Sequence, residues 1–289
     1  MHDVTVALNA KAELGEGPRW HAGEQALYWV DIKRNQLQRF DPARNAIDVR
    51  TFDSPVGCFA FREGGGLVLG MKDGCALIDD FDADPVPFGP QIFAGKPNHR
   101  INDGRTDAAG RFWIGSVNMA KDVADAALYR LDPDGSLTGI EGGMMTCNGA
   151  AFSADGRFFT HADTPSHALR LYDVIDGELA NRRILHQFEQ GTGRPDGGSF
   201  DAEGCYWSAL FDGGRVVRLD MTGAILETII LPVSRPTMIT FGGADLKTAY
   251  VTSARTGLSE SELATQPDAG AILSFRVSVP GIAEHFFAK

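Results

Sequence analysis

Between its turns the chain alternates apolar and polar positions with a period of two, as half-buried strands do. Helical periodicity is nearly absent. One arrangement recurs: a polar turn ending in Gly, then an apolar or aromatic strand. It reads HAGEQALYWVD at 21–31, REGGGLVLGM at 62–71, DAAGRFWIGSV at 107–117, SADGRFFTHAD at 153–163, DAEGCYWSALF at 201–211 and GGADLKTAYVTSA at 242–254. The turn residues Gly23, Gly65, Gly110, Gly156, Gly204 and Gly243 therefore mark six copies, 39 to 48 residues apart. Further strands follow, often closed by Asp near a turn, as in QLQRFDP at 36–42 and RVVRLDMTG at 215–223. A repeat of this length built from several short strands predicts one propeller blade per copy. The expected architecture is all-β, a six-bladed β-propeller occupying 1–289 as one domain. DVTVALN at 3–9 precedes the first copy and is expected to complete the last blade, beside AILSFRVSV at 271–279. SESELATQ at 259–266 is the only helix-like stretch and is read as a loop turn.

When the copies are aligned on their turn glycines, polar residues fall at one phase. Asn102, Asn148 and Asp196 each lie eight residues before the turn Gly, and Glu16 lies seven before Gly23. Phe152 and Phe200 follow Asn148 and Asp196 by four, as Trp20 follows Glu16. EGPRW, NGAAF and DGGSF thus read as the same piece of three blades, with NDGRT a fourth. In a propeller the innermost strands line a central channel, so residues at one phase form a ring. This ring offers Glu16, Asn102, Asn148 and Asp196, with Gly57 and Thr237 at the matching phase of the other two blades. Any single Asn-Gly or Asp-Gly is most simply a tight turn. Carboxylates and amide oxygens at a shared phase instead suit a hard divalent cation, whose charge the two carboxylates offset.

Composition narrows the function further. A net charge of -11 and a pI near 5.1 argue against nucleic acid and anionic membrane, both of which need a basic footprint. Cys58, Cys75, Cys147 and Cys205 are scattered with no CxxC pair, so they are expected as reduced core thiols. The N-terminus lacks a basic, apolar leader pattern, and no run of about 20 apolar residues exists. Together these give a cytoplasmic expectation. HExxH, GxSxG and GxGxxG are all absent. His161 and Asp163, in THADT, could approach a channel ligand, but His161 is read as a satisfied core histidine.

LGEGPRW at 14–20, RINDGRTDAAGRFWIGS at 100–116, CNGAAFSADGRFF at 147–159, RPDGGSFDAEGCYW at 194–207 and FGGADLKTAYVTSAR at 241–255 resemble the gluconolactonase, regucalcin and luciferin-regenerating family. The resemblance runs in order over nearly the whole chain. It implies a metal held by Glu16, Asn148 and Asp196, substrate contacts from Arg100 and Asn102, and Asp196 as general base. Two departures stand out. GSVNMAKD at 115–122 replaces a GTM-acidic pattern, so the sugar-holding Glu of some members falls on Ala120. Arg19 stands where relatives carry an aliphatic residue; it is read as a surface residue, the alternative being an extra cation at the mouth.

The implied activity is metal-dependent opening of an aldonolactone of the gluconolactone, xylonolactone or arabinonolactone type to its sugar acid. The cofactor is one divalent cation, with Ca, Zn, Mn, Mg and Fe(II) all open. The partner is a small sugar lactone, and the chain is expected as a monomer or weak homo-oligomer. The alternatives are an aryl-ester or phosphotriester hydrolase on the same scaffold, which wants an apolar mouth, and a noncatalytic calcium-binding propeller.

Overall fold

The computed structural model describes residues 2–289. After β1 (Thr5–Leu8), the strands fall into consecutive groups, each an antiparallel four-stranded sheet. The first holds β2 (Gly15–His21), β3 (Ala26–Asp31), β4 (Gln36–Asp41) and β5 (Ala46–Thr51). The second holds β6 (Val56–Phe61), β7 (Leu67–Met71), β8 (Cys75–Ile78) and β9 (Val86–Phe88). The third runs through β10 (His99–Thr106), β11 (Phe112–Asn118), β12 (Ala126–Leu131) and β13 (Leu137–Met144). The fourth runs through β14 (Cys147–Phe152), β15 (Phe158–Asp163), β16 (Ala168–Ile175) and β17 (Glu178–Gln187). The fifth comprises β18 (Arg194–Phe200), β19 (Tyr206–Phe211), β20 (Arg215–Leu219) and β21 (Ile225–Ile230). The sixth has β22 (Pro236–Gly242), β23 (Thr248–Ser253) and β24 (Ile272–Arg276), and its outer strand is β1. Thr5 faces Ser274 and Val6 faces Leu273, so the N-terminal segment closes the ring as its pattern predicts.

Each first strand packs against the first strand of the next blade, and β22 returns to β2. The six form the wall of a channel. Apolar side chains gather into six buried clusters, one at each blade-to-blade interface. Tyr28 and Val30 meet Phe59 and Phe61, for example, and Trp113 meets Phe152 and Phe159. The core is therefore a ring between blades, not a centre, which leaves the axis free for polar groups.

Buried acidic residues hold the repeat turns. Asp107 accepts from the backbone N–H groups of Ala109 and Arg111 and from the Trp113 indole. Asp201 does the same for Glu203, Cys205 and Trp207. Five of the six turn glycines have a positive φ; at the first turn Gln25 (φ 51°) takes that conformation instead of Gly23.

The stretch read as a loop turn contains a short helix, α1 (Glu260–Thr265). Ser259 and Glu262 form a reciprocal capping box that satisfies the first turn's donors, which stabilises a helix even with no buried face. Arg19 is a second correction. Its side chain is 2% exposed and lies neither on the surface nor at the mouth. It donates to the carbonyl of Gly104 inside the channel, and its second nitrogen lies 3.8 Å from Glu284.

Glu284 arrives on the C-terminal tail, for which the sequence offered no reading. Past β24 the tail pairs with the far ends of the inner strands: Ala202 donates to Pro280, Phe287 to Phe61 and Ala288 to Gly110. It thereby closes one end of the channel and places Glu284 between Arg105 and Arg19, all three nearly dry. Arg105 also donates to Gly198 and Ser199 across the channel. Removing the one carboxylate would strand two buried guanidinium groups, a loss of about 3–5 kcal/mol for a broken buried pair. Glu284→Gln, which keeps the shape, is expected to lower the unfolding free energy from urea titration by about that much; an unchanged value would show that the tail does not hold the channel.

Candidate functional site

One extra residue in each inner strand creates the site. In β2, Glu16 faces Val30 but Arg19 faces Tyr28, so the register slips by one across Gly17 and Pro18. The same slip occurs across Asn102 and Asp103, across Gly149 and Ala150, and across Asp196 and Gly197. It occurs at Gly57 and at Thr237 in the remaining blades. A bulge twists the strand locally and re-aims the side chain beside it. Here six bulges at one height turn one position per blade toward the axis.

The two ring positions without a candidate ligand have structural tasks. A Cβ at Gly57 would lie 2.1 Å from the carbonyl oxygen of Ile101, so only glycine lets β6 and β10 approach. The Thr237 hydroxyl donates to Gly15, stitching the sixth blade to the first.

The other four positions open into a cavity of about 450 Å³, at the channel end opposite the tail. Glu16, Arg100, Asn102, Asn148 and Asp196 all line it. A chain of hydrogen bonds ties Arg100, Asn102 and Asn148 together and runs on to the backbone beside Asp196, across three blades. Arg100 donates to Asn102 Oδ1 at 2.7 Å, and Asn102 Nδ2 donates to Asn148 Oδ1 at 2.6 Å. Asn148 Nδ2 donates to Thr164 Oγ1 at 2.8 Å, whose hydroxyl donates to the carbonyl of Pro195 at 2.8 Å, next to Asp196. Thr164 is thus a positioning residue that phase arguments could not find, because it lies on the loop after the second strand.

The donor set fits a hard cation. Among the described residues Asp196 Oδ1 is buried without any hydrogen-bond partner, an arrangement costly for a carboxylate unless a cation meets it. Glu16 has no side-chain partner and is met only by the backbone of Gly17. Asn148 Oδ1 accepts one hydrogen bond and keeps a second lone pair. Among the described residues no three His, Cys, Asp or Glu side chains converge as a metal cluster, so a cation here would be held by two carboxylates and an amide oxygen. That set favours oxygen-loving divalent ions.

Burial pushes the carboxyl groups of Glu16 and Asp196 well above the ordinary carboxylate range. The charges of Asp196 and Asp103 add to this at Glu16, and that of Asp103 at Asp196. Asp103, the neighbour of Asn102 in the same bulge, is spent on the backbone of Gly104 and Ala150. Burial lowers Arg100 to about 10, opposed by Glu16.

His161 and Asp163 are not brought to the cavity. Asp163 accepts from the N–H groups of Met145 and Thr146 and so fixes a loop. His161 is in the core, stacked on Phe159, but it is not satisfied: neither ring nitrogen has a partner, and burial pushes it down to about 3. The four cysteines are free and buried, as expected. Among the described residues no helix is long and apolar enough to cross a membrane.

Comparison with known proteins gives the family and the fold. The SMP-30/Gluconolactonase/LRE-like region family matches residues 14–255. A 6-deoxy-6-sulfogluconolactonase of Pseudomonas putida is 42% identical over 279 residues, covering 95% of each chain. Regucalcin of Danio rerio is 37% identical, covering 96% of this chain and 95% of its own. The crystal structure of a calcium-binding regucalcin from Agrobacterium tumefaciens superposes with a TM-score of 0.95 at 23% identity, covering 100% of this chain and 98% of that one, a likeness of fold.

The raised carboxyls give a signed prediction. A carboxyl held protonated by burial stabilises the fold below its unfolded pKa, and that contribution is lost as pH rises through the folded value. In chelator, Asp196→Asn is therefore expected to melt above the parent at neutral pH, with the gap shrinking as pH falls toward the ordinary carboxylate range. Thermal melts across pH check this; a gap independent of pH would mean the carboxyl is not perturbed.

Proposed function

The chain belongs to the SMP-30/gluconolactonase/LRE-like family, and from that premise and the channel geometry we propose that it hydrolyses a sugar lactone using one divalent cation held by Glu16, Asn148 and Asp196. The observation that carries the reading is the unpartnered Asp196 Oδ1, buried beside Glu16 and the hydrogen-bonded Arg100–Asn102–Asn148 chain. When bound, the cation supplies Lewis acidity, polarising a carbonyl and lowering the pKa of water.

The chain's own residues do the rest. A lactone is an internal ester, so water must attack the carbonyl carbon and the ring C–O bond must break. Asp196 takes the proton of the attacking water and returns it to the departing ring oxygen. Arg100 and Asn102 orient the substrate's oxygens, and their fixed geometry holds the carbonyl for attack. Thr164 keeps the Asn148 amide turned so that its oxygen faces the cavity.

The cavity wall also carries apolar side chains, Leu14, Ile32, Val117, Met119 and Phe211, from the first, third and fifth blades. It favours aryl esters as a second substrate class, the reading the polar residues alone did not suggest. The Pseudomonas putida relative is named for a sulfo-substituted gluconolactone and regucalcin is not, so family membership leaves the substituents of the lactone open.

Asp196→Asn keeps an oxygen ligand but removes the base. At saturating metal, kcat is expected to fall about 10²–10⁴-fold, while Arg100→Ala and Asn102→Ala mainly raise KM. Acid release on aldonolactones, aryl esters and paraoxon, corrected for spontaneous ring opening, reads all three. A metal-loaded Asp196→Asn enzyme with the parent's kcat would remove Asp196 from proton transfer. No turnover on any ester would favour a noncatalytic cation-binding propeller.

A further inference from the structure

The whole chain is acidic, with 38 Asp and Glu against 27 Lys and Arg. The wall of the cavity reverses that balance: Lys33, Lys72, Arg100, Lys121 and Arg194 line it, against only Glu16 and Asp196. Three of the chain's seven lysines converge on this one cavity.

Two of the five cations are already engaged. Arg194 pairs with Asp212, and Arg100 donates to Asn102. The three lysines are different. Among the described residues no carboxylate lies within 4.0 Å of Lys33, Lys72 or Lys121, whereas Lys96 on the outer rim pairs with Asp125.

Their placement follows the repeat. Lys33 lies two residues past β3, Lys72 one past β7 and Lys121 three past β11. Each of the first three blades thus presents one lysine on the loop after its second strand, at the mouth end of the channel. In the fourth blade the equivalent loop carries Thr164 and in the fifth Asp212. The lysines therefore form an arc on one side of the mouth.

Lys121 reinforces the point. Its backbone is left-handed (φ 53°), a conformation that costs a side chain with a Cβ energy and that Gly or Asn would adopt more readily. Asn118 holds the turn by accepting from Ala120 and Lys121. Like charges gathered on one wall repel. Among the described residues none of the three forms an ion pair, although Lys121 acts at longer range on Asp196, so the arc is complementary to an external anion.

Resting on the lactonase reading, we propose that the substrate is a lactone bearing a strongly anionic substituent, a phosphate or a sulfonate, at the end remote from its carbonyl, and that Lys33, Lys72 and Lys121 select it. Glu16, Asn148 and Asp196 would hold the cation that meets the carbonyl end, and the lysine arc reads the charged end. An acidic surface with a basic mouth also steers such an anion to the channel.

The test compares kcat/KM for glucono-1,5-lactone with its 6-phospho and 6-deoxy-6-sulfo analogues, on the parent and on the Lys33→Met, Lys72→Met, Lys121→Met triple variant. The expected ratio of anionic to neutral substrate is about 10 or more in the parent, falling with ionic strength and collapsing toward one in the variant. Whichever analogue gains more identifies phosphate or sulfonate. A parent ratio near one, or a ratio unchanged in the variant, overturns the proposal. If no lactone is turned over, the lactonase reading fails separately. Titration calorimetry with gluconate and 6-phosphogluconate then still decides: lysine-dependent preference for the phosphorylated acid supports the arc, and equal binding overturns it.

Discussion

Each innermost strand carries one residue more than its partner can match, and the chemistry of the channel depends on that surplus. Without the bulge, the period-two alternation of a strand would alternate side chains between the two blade faces, into the clusters between blades. The extra residue breaks the alternation at one height and frees a side chain to point along neither face. Six repetitions at the same phase turn a local irregularity into a ring. Where the ring needs close approach it has Gly57, and where it needs a stitch between the first and last blades it has Thr237. The remaining four positions are left for chemistry.

The channel is layered by charge. At the open end Glu16 and Asp196 stand with Asn102, Asn148 and Arg100. Asp103 lies next to them in the same bulge as Asn102, and Arg19, Arg105 and Glu284 occupy the end closed by the tail. Burial makes each of these charges costly alone, so each layer is stable only with its partners. Glu284 completes the lower layer from within the chain. The upper layer is left with a carboxylate oxygen, Asp196 Oδ1, that no described residue meets.

The repeat was legible because blades are local. Turn, strand and closing Asp recur at a fixed spacing, and the clusters between blades require only the alternation of each strand. Phase alone brought out Glu16, Asn102, Asn148 and Asp196, since residues at one phase of a closed ring must share one height. The substrate-contact role of Arg100 came from resemblance; it lies two residues before the bulge, lines the cavity and is held by its bonds to Ile101 and Asn102. Arg19 was read as a surface residue because it stands where relatives carry an aliphatic one; beside the bulge at Gly17 and Pro18 it is instead buried against Gly104 and Glu284. The short helix at 260–265 escaped because its stability is in a cap, not a periodicity.

The sequence by itself determined the number of blades, the closing strand and the identity of the four polar ring residues, because each is fixed by spacing along the chain. Only the tertiary structure decided what surrounds them. Thr164 reaches Asn148 from another strand's loop, and Glu284 reaches Arg105 across 179 residues. Lys33, Lys72 and Lys121 belong to three different blades and lie two, one and three residues past their second strands, an offset too irregular to show as a shared phase along the chain. Ring closure alone brings these distant groups into one low-dielectric space, where burial and charge act on them together.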